Sequence, residues 1–237
     1  MQVLVTGGAG FIGGHIAERL AADHDVVVLD NFEPYYDLGI KEHNVEAGRT
    51  ASAERGGTYR LVEGSITDGN LVDDVVSGTD VIYHQAAQAG VRPSVENPRK
   101  YDEVNVDGTL NLLDAARDTG IERFVMASSS SVYGKPEYLP YNEVHPTTPV
   151  SPYGTSKLAA ERYACAYSEV YDMSVVALRY FTVYGPRMRA NMAISNFVSR
   201  CLNGESPVVY GDGTQTRDFT FIEDVVEANV TLLSEDG

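Results

Sequence analysis

The chain has 237 residues, 43% of them hydrophobic, and a formal net charge of −16. Its length suits one large domain or one domain plus part of another, and its acidity argues against a general nucleic-acid binder, which needs a basic face to displace phosphate counterions. No apolar stretch approaches membrane-spanning length, the chain opens directly on a strand-like run, and Cys165 and Cys201 lack CxxC spacing. The expectation is therefore a cytoplasmic protein with no membrane span, no metal site and two buried or half-buried thiols.

The first strand is expected at 2–7, "QVLVTG", and the first helix at 10–23. Between them "TGGAGFIG" satisfies two glycine spacings at once, Gly7, Gly10 and Gly13 as GxxGxxG and Gly8, Gly10 and Gly13 as GxGxxG. Glycine is needed there because the backbone turns tightly and a pyrophosphate must approach amide N–H groups at a helix N-terminus, those of Phe11 and Ile12. The second strand, 25–30, ends on Asp30, twenty residues past Gly10. Its carboxylate can accept hydrogen bonds from a ribose diol and would repel a 2′-phosphate, with no arginine in "DNFEPYY" to compensate, so NAD is expected rather than NADP.

Residues 31–57 break the rhythm and read as an insertion with a short helix and a surface loop. Strands are then expected at 58–64, 80–85, 123–129 and 174–181, alternating with helices at 70–78, 105–120 and 156–171. Continuous apolar strands alternating with amphipathic helices imply a doubly wound α/β (Rossmann) domain over 1–181, its parallel sheet covered on both faces. Past 182, Pro186, Pro207 and "GDGTQ" suggest a smaller, irregular subdomain over 182–237, closing on a helix-like 222–235.

Two motifs carry chemistry. "SPYGTSK" sets Tyr153 and Lys157 four apart, on one helix face. An adjacent ammonium and a cationic nicotinamide ring would both favour the phenolate that a base requires. "SSSS", Ser128 to Ser131, stands at a strand's carboxyl end, where open α/β sheets bind ligands. One hydroxyl there can bond the substrate oxygen that Tyr153 deprotonates, while Ser128 and Ser130 are expected to satisfy backbone groups.

With "LDNF", "HQAAQAGVRPSVENP", "NVDGTLNLL", "LRYFTVYGPR" and "GDGTQTRDF", these motifs resemble the extended short-chain dehydrogenase/reductases, specifically the NAD-dependent nucleotide-sugar epimerases of UDP-glucose 4-epimerase type. The resemblance spans essentially the whole chain. It implies Ser129 as the catalytic hydroxyl, Tyr153 as base and Lys157 as its partner. It implies cofactor contacts from Asn31, Ser65, Ile66, Gln85, Ala86, Ala87, Asn105 and Tyr180, with Ser65 standing where the family usually has Asp. Thr182 matches a position near the sugar and Arg217 a diphosphate contact, with Arg187 or Arg189 as further phosphate cations, while Arg92 could meet a carboxylate.

The implied substrate is a UDP-sugar of the UDP-glucose/galactose type, epimerised at carbon 4 by a homodimer. The alternatives are UDP-glucuronate 4-epimerisation, 4,6-dehydration and an inactive NAD-binding remnant, since family members commonly continue further. Dehydration needs an additional acid/base pair, and family dehydratases carry acids where this chain has Ser130 and Ser131, which favours epimerisation.

Overall fold

The computed structural model describes residues 1–121, 123–209 and 211–233. Six parallel strands form the main sheet: β1 (Gln2–Thr6), β2 (Asp25–Asp30), β3 (Thr58–Glu63), β4 (Val81–His84), β5 (Arg123–Ser129) and β6 (Val175–Tyr180). Their spatial order is β3-β2-β1-β4-β5-β6. The order reverses between β1 and β4, which opens a crevice beyond the strands' carboxyl ends.

The period-two alternation of each strand divides the core between two faces. Val3, Val5, Val26, Val28, Tyr83 and Val125 point to one side, where they meet Ile16, Ala17 and Leu20 of α1 (Phe11–Ala21). Leu4, Val27, Leu29, Ile82, Phe124 and Met126 point to the other. There they are covered by α3 (Gly69–Val76), α6 (Gly108–Thr119) and α7 (Pro152–Tyr171). Both faces are buried, so the strands read as unbroken apolar runs.

The segment after β2 departs from expectation. Instead of a short helix and loop it forms α2 (Leu38–Arg55), an 18-residue helix packed on α1. Asp37 caps it by accepting from the Gly39 amide at 2.8 Å, and Gly56 closes it with φ +92°. Its buried side includes Lys41, Asn44, Gly48 and Ser52 beside a single valine, so hydrophobic periodicity could not reveal it. Two short helices, α4 (Val91–Glu96) and α5 (Pro98–Asp102), and a π-helical turn over Glu103–Asp107 lead into α6. The expected helix at 105–120 thus begins as a π turn.

Beyond β6, β7 (Thr182–Tyr184) pairs in parallel with β8 (Phe219–Phe221), and α8 (Ala193–Leu202) buries none of its residues. α9 (Ile222–Thr231) returns to the main sheet, packing Val226 and Val230 against the α1-side core. The last helix expected to reach 235 and the subdomain expected to reach 237 extend past the described residues. Both thiols are exposed, not buried, because Cys165 sits on the outer side of α7 and Cys201 on uncovered α8. Among the described residues no helix is long and apolar enough to cross a membrane, and no three His, Cys, Asp or Glu side chains gather as metal ligands.

Candidate active site

The crevice beyond β1, β4 and β5 encloses about 320 Å³. Its floor is the turn from β1 into α1. Gly7 adopts φ +69°, and a Cβ there would stand 2.7 Å from the Ala86 amide nitrogen, so only glycine fits. A Cβ on Gly13 would collide with the Gly7 carbonyl. α1 has no side-chain cap at Gly10, so the amides of its first turn are left for an anion. Asn44 of α2 fixes this turn by donating to the Ala9 and Gly10 carbonyls at 2.9 and 3.0 Å.

Asp30 closes one end. Its Oδ2 accepts from the Ala9 amide at 3.1 Å, and its Oδ1 from the Phe32 amide at 2.8 Å and Lys41 Nζ at 3.0 Å. A glycine cradle, an uncapped helix end and a buried carboxylate fit a dinucleotide: pyrophosphate at α1, ribose at Asp30. Asn31, Ser65, Ile66, Gln85, Ala86, Ala87 and Tyr180 line the same crevice with Gly7, Gly10, Phe11, Ile12 and Gly13. Ser65 is engaged with Thr67, 2.8 Å between hydroxyls. Tyr180 is tied to Asn229 of α9, which donates to its hydroxyl at 2.8 Å, and burial pushes the phenol up to about 12.

At the other end stand Ser129, Tyr153 and Lys157. Ser129 ends β5 and caps the turn that follows by accepting from the Ser131 amide at 3.1 Å. Tyr153 and Lys157 occupy the first turns of α7, with Ser151 as N-cap, accepting from Gly154 at 3.1 Å. Burial raises the Tyr153 phenol above its ordinary value, while Ser129 and the Arg189 charge pull it partly back. The expected phenolate is therefore not the resting form in the protein alone. Lys157 is pushed down to about 8 by burial, with Glu161 one turn on opposing that fall.

Behind the serines lies a charged network. Ser128 donates to Glu161 at 2.5 Å, and Arg179 of β6 binds the same carboxylate through Nη2 at 2.6 Å and Nε at 3.0 Å. Ser128 therefore anchors to a carboxylate rather than to backbone, contrary to expectation. Arg179 continues to the Tyr133 hydroxyl at 3.1 Å.

Four expected contacts stand outside the lining. Asn105 is buried beneath it, accepting from the Gln88 amide at 2.7 Å and donating to Ser156 at 2.9 Å, which ties the π turn to α7. Thr182 is half-buried in β7. Arg92 is exposed on α4, and Arg217 is exposed with Nη1 donating to the Thr216 carbonyl at 2.6 Å. Tyr35, Tyr36 and Lys41 enter unannounced by motif, and of the two candidate phosphate cations Arg189 joins them in the lining. Arg189 stacks on Tyr35 at 5.3 Å, and its buried Nη1 has no partner among the described residues. Arg187 turns away, pairing with Glu18 of α1 at 2.5 Å.

Residues 3–237 match the NAD dependent epimerase/dehydratase family. A relative named putative UDP-glucose 4-epimerase, from Methanocaldococcus jannaschii, is 41% identical over 241 residues, covering 98% of this chain and 73% of its own length. A probable UDP-glucuronate 4-epimerase of Rhizobium meliloti is 39% identical over 236 residues, 98% of this chain and 68% of that one. The crystal structure of UDP-glucuronic acid 4-epimerase from Bacillus cereus, holding UDP-glucuronic acid and NAD, superposes with a TM-score of 0.91 at 34% identity, covering all of this chain and 74% of that one.

Proposed function

Since the chain belongs to the NAD dependent epimerase/dehydratase family, we propose that it inverts carbon 4 of a UDP-sugar. The observation that carries this is the convergence of Ser129, Tyr153 and Lys157 on one end of a crevice whose other end is the glycine turn and Asp30. Bound NAD would supply a two-electron acceptor that is regenerated within each turnover. In this reading Tyr153 takes the proton from the sugar's 4-hydroxyl and returns it, and Ser129 holds that hydroxyl in line. The buried Lys157 offers the cation that a phenolate in the crevice needs. Ser130 and Ser131 supply no carboxylate for removing a carbon 5 proton, which favours epimerisation over dehydration. We assign the cofactor to residues 1–181 and the sugar side to 182–237. Exposed Tyr163, Val170 and Tyr171 on α7 support pairing with a second copy.

Two sugars compete, UDP-glucose and UDP-glucuronate. Arg189 favours the second: it lines the crevice, acts electrostatically on Tyr153 and has no carboxylate partner among the described residues, so a sugar carboxylate would satisfy it. Arg92 and Arg217, exposed and outside the lining, support it less. The test is turnover of each UDP-sugar by wild type and Arg189→Met. A loss of at least tenfold in kcat/KM confined to UDP-glucuronate supports the assignment, and an equal loss on both sugars removes it.

A further inference from the structure

We propose that Lys41 is a second selector at the adenosine ribose and a latent acceptor for a 2′-phosphate, held in check by Asp30. This rests on the NAD reading above and concerns which nicotinamide cofactor the same crevice takes.

Lys41 comes from α2, the helix that sequence periodicity did not reveal. Its side chain is 7% exposed and that of Asp30 is 4% exposed, so the pair is almost fully withdrawn from water while both residues line the crevice. Nζ lies 3.0 Å from Asp30 Oδ1 and 5.7 Å from the ring centres of both Phe32 and Tyr36. An ammonium carries three donors. Among the described residues one reaches an oxygen, that of Asp30, and the rest face aromatic rings and the crevice. Asp30 Oδ1 already accepts two hydrogen bonds and Oδ2 one. A ribose hydroxyl can thus donate to Oδ2 while its own oxygen accepts from Lys41.

The pair is electrically neutral as a unit, which changes how NADP is refused. A 2′-phosphate would meet the Asp30 carboxylate but also a buried, weakly solvated cation beside it. Refusal is therefore the work of one carboxylate, working against an attraction already in place. Removing the negative charge at position 30 leaves a cation with spare donors where the phosphate would sit. If Lys41 merely neutralises buried Asp30, replacing it affects both dinucleotides alike.

The experiment is calorimetric titration of NAD and NADP into nucleotide-stripped wild type, Asp30→Asn, Lys41→Met and the double variant, with thermal melts to confirm folding. Asp30→Asn should raise NADP affinity relative to NAD by about 10- to 100-fold, the worth of one charge-assisted hydrogen bond. The double variant should lose that gain. Lys41→Met in the wild-type background should weaken NADP more than NAD, so either single variant decides the matter if the other fails to fold. Equal effects of Lys41→Met on both nucleotides, or no NADP gain in Asp30→Asn, overturn the inference while leaving NAD binding intact. A wild type that binds neither nucleotide overturns the cofactor reading with it.

Discussion

Replacing Glu161 by Gln probes the charged network behind the serines. Its side chain is 4% exposed and that of Arg179 16%, and the two share a 2.6 Å contact with a second donor at 3.0 Å. Removing one partner of a buried pair costs about 3–5 kcal/mol, because the other charge is stranded. Arg179 keeps some solvent and its bond to Tyr133, so the low end, about 3 kcal/mol, is expected. In a domain this size each kcal/mol moves the melting point by about 2–4 °C, which gives a fall of roughly 6–12 °C in calorimetry. The sign with pH is also fixed. Burial alone would raise the Glu161 carboxyl, but Arg179 and Ser128 hold it below its ordinary value. Its contribution is therefore present above the unfolded-state value and lost as pH falls through the lower, folded one. Wild type should converge on the variant in acid. A melting point lowered by less than about 2 °C at neutral pH, or a gap that widens on acidification, would refute the reasoning.

Lys157, pushed down to about 8, binds its proton less tightly than in the unfolded chain. Wild-type stability should therefore rise between about pH 8 and 10.5 relative to Lys157→Met, by on the order of 3 kcal/mol, as read from urea midpoints. Equal pH profiles would contradict the burial of that charge. Gly7→Ala should abolish NAD binding, since the position needs both a positive φ and the absence of a Cβ. Calorimetry with near wild-type affinity would refute the placement of the glycine turn. A net charge of −16 should make stability climb steeply from low to multimolar salt as self-repulsion is screened. Indifference of the melting point to salt would sink that expectation.

The sheet, its two-faced burial and the crevice were legible because they leave simple marks: uninterrupted apolar strands, a glycine turn, Asp30 at the end of β2. Tyr153 and Lys157 can be set on one helix face from their spacing, whereas Ser129 is singled out among four serines only by the family resemblance; all three line the crevice. The length of α2 was not legible, because it packs through Asn44, Gly48 and a paired lysine, and its fit depends on Gly14 of α1 and on Tyr59 of β3. Ser128 was misjudged for a related reason. Its partner Glu161 lies 33 residues away and becomes a neighbour only when α7 crosses β5. Arg187 and Arg189, two apart, point to different partners, Glu18 and the crevice, because Arg187 takes φ +63° in the turn before α8. No spacing rule anticipates that division.

In the proposed reaction a carbon 4 hydrogen leaves and returns within one crevice while Tyr153 handles only the hydroxyl proton. Proton NMR of the NAD-loaded protein with UDP-glucuronate and UDP-glucose in deuterated water tests it directly. The account predicts the carbon 4 epimer of at least one of them, with its carbon 4 hydrogen retained and no deuterium at carbon 5, and no turnover with Tyr153→Phe although NAD still binds. Deuterium at carbon 5 with a 4-keto-6-deoxy product, or epimerisation that survives Tyr153→Phe, would contradict it.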